Sequence, residues 1–209
     1  GVMDYKDIIE CVIKQVQIFQ TCCPKGGMMA ILNDYRLFAE EPILHNNSHL
    51  VSVNYDSHFV ISGSVDGLEK IEKYLKTCGY LYQRLPVSYA FHSPLMDVAA
   101  PDFINLFKSK TIETPKVSYI SSLRGTKVTS LDSNYFWDIM RNPIEFRAAL
   151  MGLDNSDECI YIDLGPSGTL ANFTKKILGS NGMDRVFSII TPFSNDIKNF
   201  ENLLRSIRL

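Results

Sequence analysis

His92 stands in Val87-Ser88-Tyr89-Ala90-Phe91-His92-Ser93-Pro94-Leu95-Met96, beyond a strand-forming run and among small and apolar neighbours. An imidazole so placed can accept and return a proton near neutral pH. The same residue type serves equally as a histidine hydrogen-bonded for structure. Ser93 adjoins it, but adjacency in sequence does not bring a hydroxyl onto a ring nitrogen. No G-x-S-x-G occurs in the 209 residues, so the elbow that exposes a hydrolase serine is not among them. Cys22 or Cys23 could act as nucleophile only by folding back onto His92. His45, His49 and His58 have no carboxylate or cysteine at ligand spacing, and no metal site is expected. Gly165-Pro166-Ser167-Gly168-Thr169-Leu170 joins a strand to a helix. Its amides could cradle a phosphate, yet no G-K-[ST] follows, and a tight packing turn is the other reading.

The elements around these residues follow from periodicity. Asp7 to Gln20 repeats Ile8, Ile9, Val12, Val16 and Phe19 at helical spacing, which predicts an amphipathic helix. Cys22-Cys23-Pro24-Lys25-Gly26-Gly27 ends it. Met28 to Leu32 reads as a strand, Tyr35 to Glu41 as a short helix, and Leu50 to Asn54 with His58 to Ser62 as a hairpin. Gly67 to Lys76 is helical with Gly79 as its stop, and Tyr80 to Val87 returns as a strand. The order βαββαβ describes a small ferredoxin-like unit over 26–88.

Beyond it, Ser93 to Lys108 reads as helix, Val117 to Ser121 and Lys127-Val128 as strands. Ser133 to Met151 is helical with a break at Asn142-Pro143. Cys159 to Leu164 reads as a buried strand and Val186 to Ile190 as an apolar strand, alternating with helices Thr169 to Leu178 and Ile197 to Ile207. Such alternation predicts an α/β layer with a mostly parallel sheet. The strands that should precede the leading helix are missing. The chain therefore reads as an α/β fold: an incomplete large subdomain, 1–25 and 89–209, with the small subdomain 26–88 inserted.

Composition bounds the rest. The chain is 45% apolar and 21% charged with a net charge of −2, as in ordinary globular proteins. This excludes a disordered tail, a basic nucleic-acid face and a polybasic membrane anchor. No apolar run approaches the ~20 residues that span a bilayer. Five cysteines without a C-x-x-C point to reduced thiols in a cytoplasmic protein. The chain opens on Gly1 with no signal-peptide pattern and reads as starting inside a larger protein.

Tyr89-Ala90-Phe91-His92-Ser93-Pro94-Leu95-Met96 resembles the histidine motif of the malonyl-CoA:acyl carrier protein transacylase family, which includes the acyltransferases of polyketide and fatty acid synthesis. Gly26-Gly27-Met28-Met29-Ala30 resembles its first small-subdomain strand. Asn54 through Val60-Ile61-Ser62-Gly63 resembles its N-x-x-x-Q-x-V-I-S-G segment, with His58 where Gln is usual. Phe136-Trp137 through Asn142-Pro143-Ile144-Glu145-Phe146 and Ile162-Asp163-Leu164-Gly165-Pro166-Ser167-Gly168-Thr169-Leu170 resemble two further segments in the family order.

The resemblance implies an α/β-hydrolase-like large subdomain with a ferredoxin-like insertion. It also implies a nucleophilic serine in G-H-S-x-G, shortly upstream of Gly1. His92 becomes the base for that serine, oriented by the backbone carbonyl of Ile139, with Gln15, Asn54 and Phe91 contacting substrate. The implied partners are an acyl carrier protein with its phosphopantetheine thioester, acyl-CoA and a polyketide synthase complex; no cofactor is implied. Gln15 stands where malonyl-loading members carry an arginine, and a neutral amide cannot offer a charged bidentate fork to a carboxylate. Acyl hydrolysis is therefore expected over malonyl loading. The alternatives are a malonyl transacylase or an inert carrier-binding fragment. A chain lacking the first strands is also expected to expose apolar surface and to associate.

Overall fold

The computed structural model describes residues 1–153, 159–180 and 182–207. The chain divides into two compact units, Gly1–Ala149 and Leu150–Leu209. The first unit holds the 26–88 segment together with 1–25 and 89–149 that flank it.

Helix α1 (Tyr5–Cys22) is capped by Asp4, whose carboxylate accepts from the Lys6 N–H at 2.9 Å. The sequence reads its apolar stripe as the buried face, and here the structure differs. Cys11 and Phe19 are buried, but Ile9, Val12, Ile13 and Val16 are 55%, 51%, 56% and 45% exposed. The face that packs is rotated toward Cys11, Ile18, Phe19 and Cys22, against a core of Tyr89, Met96, Phe103, Phe107 and Trp137. Phe19, Phe103 and Phe107 stack in series at centroid distances of 5.8 and 5.0 Å, and Phe107 stacks on Phe136 at 4.6 Å.

The small unit comprises β1 (Gly26–Ile31), short helices α2 (Leu37–Glu40) and α3 (Pro42–His45), β2 (His49–Tyr55), β3 (His58–Ser64), helix α4 (Val65–Cys78) and β4 (Tyr82–Arg84). The strands form one antiparallel sheet in the order β2-β3-β1-β4, the ferredoxin-like arrangement. Strand β4 is shorter than the sequence suggests. Alternation along β1 sends Met29 and Ile31 to the helices, where Leu68, Ile71 and Leu75 of α4 cover them. Met28 and Ala30 face the other side with Val51 and Val60. Both faces are covered, which is why β1 reads as an unbroken apolar run. Ser64 caps α4 by accepting from the Gly67 N–H at 3.1 Å. Gly26 must lack a side chain: a Cβ there would lie 2.7 Å from the Gly63 carbonyl and 3.0 Å from Ala90 Cβ. That absence lets the segment leading to His92 lie along β1, with the Gly26 N–H donating to the Ser88 carbonyl at 3.1 Å.

Strand β2 is irregular. Leu50 pairs Ile61 and Ser52 pairs Val60, so Val51 is an extra residue; Val53 pairs Phe59 and Tyr55 pairs His58, so Asn54 is a second. These are two one-residue bulges.

A short 3-10 helix (Pro94–Ala99) follows His92 and leads into α5 (Ala100–Lys108). Strands β5 (Tyr119–Ser121) and β6 (Thr126–Val128) form an antiparallel pair. Their short connection through Arg124-Gly125 can only make a hairpin. Helix α6 (Ser133–Arg141), capped by Asp132, ends at Asn142, and α7 (Phe146–Met151) follows.

In the second unit, β7 (Tyr161–Asp163) and β8 (Val186–Ser188) pair in parallel, with α8 (Thr169–Leu178) between them in sequence and α9 (Asp196–Ile207) after them. Among the described residues no helix is long and apolar enough to cross a membrane.

Candidate functional site

The last turn of any α-helix leaves carbonyls without intrahelical donors. At the end of α6 two features free more of them. The Ile139 carbonyl would accept from the N–H four residues on, but that residue is Pro143, which has none. The Met140 carbonyl would accept from the Ile144 N–H, yet that group donates to the Val51 carbonyl of β2 at 2.7 Å.

The freed oxygens meet His92. Its main-chain N–H donates to the Met140 carbonyl at 2.9 Å, and its Nδ1 donates to the Asn142 carbonyl at 3.0 Å. With Nδ1 carrying the proton, Nε2 is the basic nitrogen of the neutral ring. The resemblance implies the Ile139 carbonyl as the orienting group; in the structure the Asn142 carbonyl stands beside it. Asn142 makes the 3.0 Å bond, and Ile139 also acts through its carbonyl to raise the ring's proton affinity. The reason is local: a residue before proline is driven to extended backbone. Asn142, at φ −95° and ψ 160°, accordingly turns its carbonyl out of the helix.

Burial outweighs these carbonyls and holds the His92 pKa below the ordinary histidine value. The ring is therefore neutral at pH 7 and able to accept a proton. The carbonyls, at the negative end of the α6 dipole, favour the imidazolium once it forms. The backbone of His92 lies at φ 62°, in the left-handed region that few non-glycine residues adopt. Ser93 is fully committed. Its buried Oγ donates to the Ala90 carbonyl at 2.6 Å and accepts from the Leu95 N–H at 3.3 Å, capping the 3-10 helix. It is not a nucleophile for His92. The 3-10 helix is tied to the end of α6 by Asp97, which accepts from Arg141.

The other expected site residues are dispersed. Phe91 is half-buried, its ring edge-on to Phe19 at 5.5 Å and against the Val51 and Val60 face of the sheet. Gln15 is half-buried on α1, and among the described residues no hydrogen bond joins it to His92. Asn54, expected at the substrate, is buried in β2. Its carbonyl accepts from Ser52 Oγ at 2.8 Å, and its amide donates to His58 Nδ1 at 2.9 Å. Sequence reasoning missed Asn142 and the Val51 carbonyl. The Asn142-Pro143 break signals the first, since the residue before a proline is driven to extended backbone and turns its carbonyl out of the helix; nothing in the sequence signals the second.

The 165–168 loop resolves toward packing. Asp163 occupies the place an anion would take: one carboxylate oxygen accepts from the Gly165 N–H at 2.8 Å and the other from the Ala171 N–H at 2.9 Å. Gly168, at φ +65°, passes close to Ser188, whose Oγ would lie 2.5 Å from an added Cβ.

The chain belongs to the acyl transferase domain family, whose profile matches residues 5–208. It is 45% identical over 203 residues to the polyketide biosynthesis acyltransferase homolog PksD of Bacillus subtilis, covering 97% of this chain and 63% of that protein. It is 42% identical over 207 residues to the homolog BaeD of Bacillus velezensis, covering 99% of this chain and 64% of that protein. The chain thus spans under two thirds of the length of these curated relatives. The malonyl CoA-acyl carrier protein transacylase from Clostridium perfringens superposes with a TM-score of 0.80 at 23% identity, over 100% of this chain and 66% of that one.

Proposed function

We propose that this chain supplies the base-bearing part of an acyltransferase of polyketide assembly, working on acyl thioesters through an acyl-serine. The observation that carries the reading is the His92 ring, its Nδ1 donating to the Asn142 carbonyl at 3.0 Å. In this reading Nε2 takes the proton of a serine hydroxyl as its oxygen attacks the thioester carbonyl. The serine lies outside these 209 residues, since they contain no G-x-S-x-G and Ser93 is otherwise engaged. The imidazolium then returns the proton to the departing thiolate, leaving the acyl group on serine. A second thiol completes transfer; water completes hydrolysis, with Nε2 taking the water's proton and the serine regaining its own.

The donors are an acyl carrier protein bearing a phosphopantetheine thioester, or acyl-CoA, within a polyketide synthase system in the cytoplasm. Gln15 favours neutral acyl groups over malonyl, because a carboxylate buried without a cation beside it costs several kcal/mol. Hydrolytic clearing of such groups is favoured over malonyl loading.

The test joins this chain to the part of the Bacillus subtilis relative that it does not match. The chimera is incubated with acetyl- and malonyl-pantetheine thioesters, and thiol release, free acid and intact mass are followed. Acetyl turnover to free acid supports the whole reading. Malonyl transfer without hydrolysis supports the transferase and rejects the editing role. No acylation at any site points instead to a carrier-binding module without chemistry.

A further inference from the structure

We infer that Asn54 is a positioning residue for His92, acting through the bulged strand β2, and not a substrate contact. The inference rests on His92 as the base proposed above. An extra residue in a strand breaks the ladder and leaves its own peptide groups to find other partners. In β2 the extra residue Val51, fully buried, gives its carbonyl to the Ile144 N–H at 2.7 Å, and Ser52 forms an isolated parallel bridge with Ile144. Ile144 lies two residues beyond Asn142, whose carbonyl accepts from His92 Nδ1 at 3.0 Å. The bulge therefore holds the chain segment that holds the ring.

Asn54 is the second extra residue of the same strand, and its amide ties the irregular stretch back to Ser52 and across to His58 of β3. Its carbonyl takes the Ser52 hydroxyl at 2.8 Å and its amino group meets His58 Nδ1 at 2.9 Å. Asn54 is 7% exposed and Ser52 5%, so the bond between them forms away from solvent, where an unpaired partner is costly. Among the described residues the amide is bonded to Ser52 and His58 and not to the His92 ring itself. Its effect on His92 runs through Ser52, Val51 and Ile144 to Asn142. The side chain thus sets where a backbone carbonyl sits.

The experiment uses this chain and needs no turnover. Heteronuclear NMR of the imidazole nitrogens reports the tautomer and titration of His92 in the parent, Asn54→Ala, Asn54→Asp and Ser52→Ala. The control is Ser62→Ala, which removes another buried hydroxyl of the sheet, one that donates to the Gly27 carbonyl at 3.3 Å and not to β2. The parent is expected to show the Nδ1–H tautomer. Asn54→Ala and Ser52→Ala are expected to raise the Nε2–H fraction severalfold and to lower the His92 pKa further, because the carbonyl that supports its proton moves away. Ser62→Ala is expected to lower the melting temperature with the His92 spectrum unchanged. If Asn54→Ala does not fold, Ser52→Ala and Asn54→Asp carry the test. An unchanged His92 spectrum in the folded β2 variants overturns the inference, as does an equal change in Ser62→Ala. Because the spectrum is read without catalysis, an inactive chimera would reject the proposed reaction while leaving this measurement to decide the positioning role.

Discussion

His92 combines two costs at one residue: a left-handed backbone at φ 62° and a ring withdrawn from water. A side chain in that backbone region costs about 1–2 kcal/mol, which glycine avoids. His92→Gly is therefore expected to be more stable than His92→Ala by about 1 kcal/mol, measured by denaturant unfolding. Equal stabilities would mean that the turn carries no strain. The strain is consistent with a side chain held at one spot by its function. Gln15 makes the second prediction at this scale. Gln15→Arg in the chimera is expected to raise malonyl turnover relative to acetyl, since a guanidinium offers the charged fork that Gln lacks. An unchanged ratio places carboxylate recognition elsewhere. His92 and Gln15 are singled out by the resemblance of their segments to a known family, not by residue type alone, which fits a structural histidine equally well. Asn54's partners could not be picked out, because an amide buried on a neighbouring serine and histidine carries no sequence pattern.

Helix α6 and strand β2 show what can and cannot be read at the level of elements. The Asn142-Pro143 break was plain in the sequence, and its consequence is stereochemical: proline removes the N–H that would close on Ile139 and extends Asn142. Pro143→Ala is expected to restore that N–H and to let the helix run on. The Ile139 and Asn142 carbonyls would then leave His92, and chimera turnover would fall by at least about tenfold, with a change in the imidazole titration. Unaltered turnover and titration would show that these carbonyls do not serve the ring. The bulges of β2 were invisible, because a bulged strand keeps much the same residue types as a regular one. The existence of α1 was legible but its packed face was not. Periodicity identifies an apolar stripe; it does not say whether the protein at hand covers it.

For the whole molecule, the uncovered stripe is the main feature. Ile9, Val12, Ile13 and Val16 stand open on α1, beside an apolar cavity of about 220 Å³ lined by Met3, Ile8, Cys11, Val12, Phe107 and Phe136. In the second unit Ile162 of β7 and the flanking Ile160 and Leu164 are exposed, although parallel strands are ordinarily covered on both faces. Exposed apolar area of this kind drives association. Ile9→Lys with Ile13→Glu is expected to shift the chain toward monomer in sedimentation velocity, and an already monomeric parent would contradict that. The histidines set the pH response. Burial holds His49, His58 and His92 below the ordinary value, with Arg141 adding to the effect on His49. Near pH 6.5 and below, the unfolded chain binds protons that the folded chain does not, so stability is full above about 6.5 and falls as the pH drops toward the lowered native values. Glu10 and Asp34, held down to about 2 by hydrogen bonds from Lys110 and Arg36, stay ionised throughout that window and take no part. Denaturant unfolding between about pH 7.5 and 5 checks this; a flat profile would contradict it.

The most direct measurement of the central claim is the pH–rate profile of acetyl-thioester turnover by the chimera, with and without His92. With His92 the rate is expected to rise with pH through a midpoint below about 6.5, and in His92→Ala to drop by about 10²–10⁴-fold with that limb gone. A His92→Ala chimera that keeps both its rate and its pH limb would contradict the account.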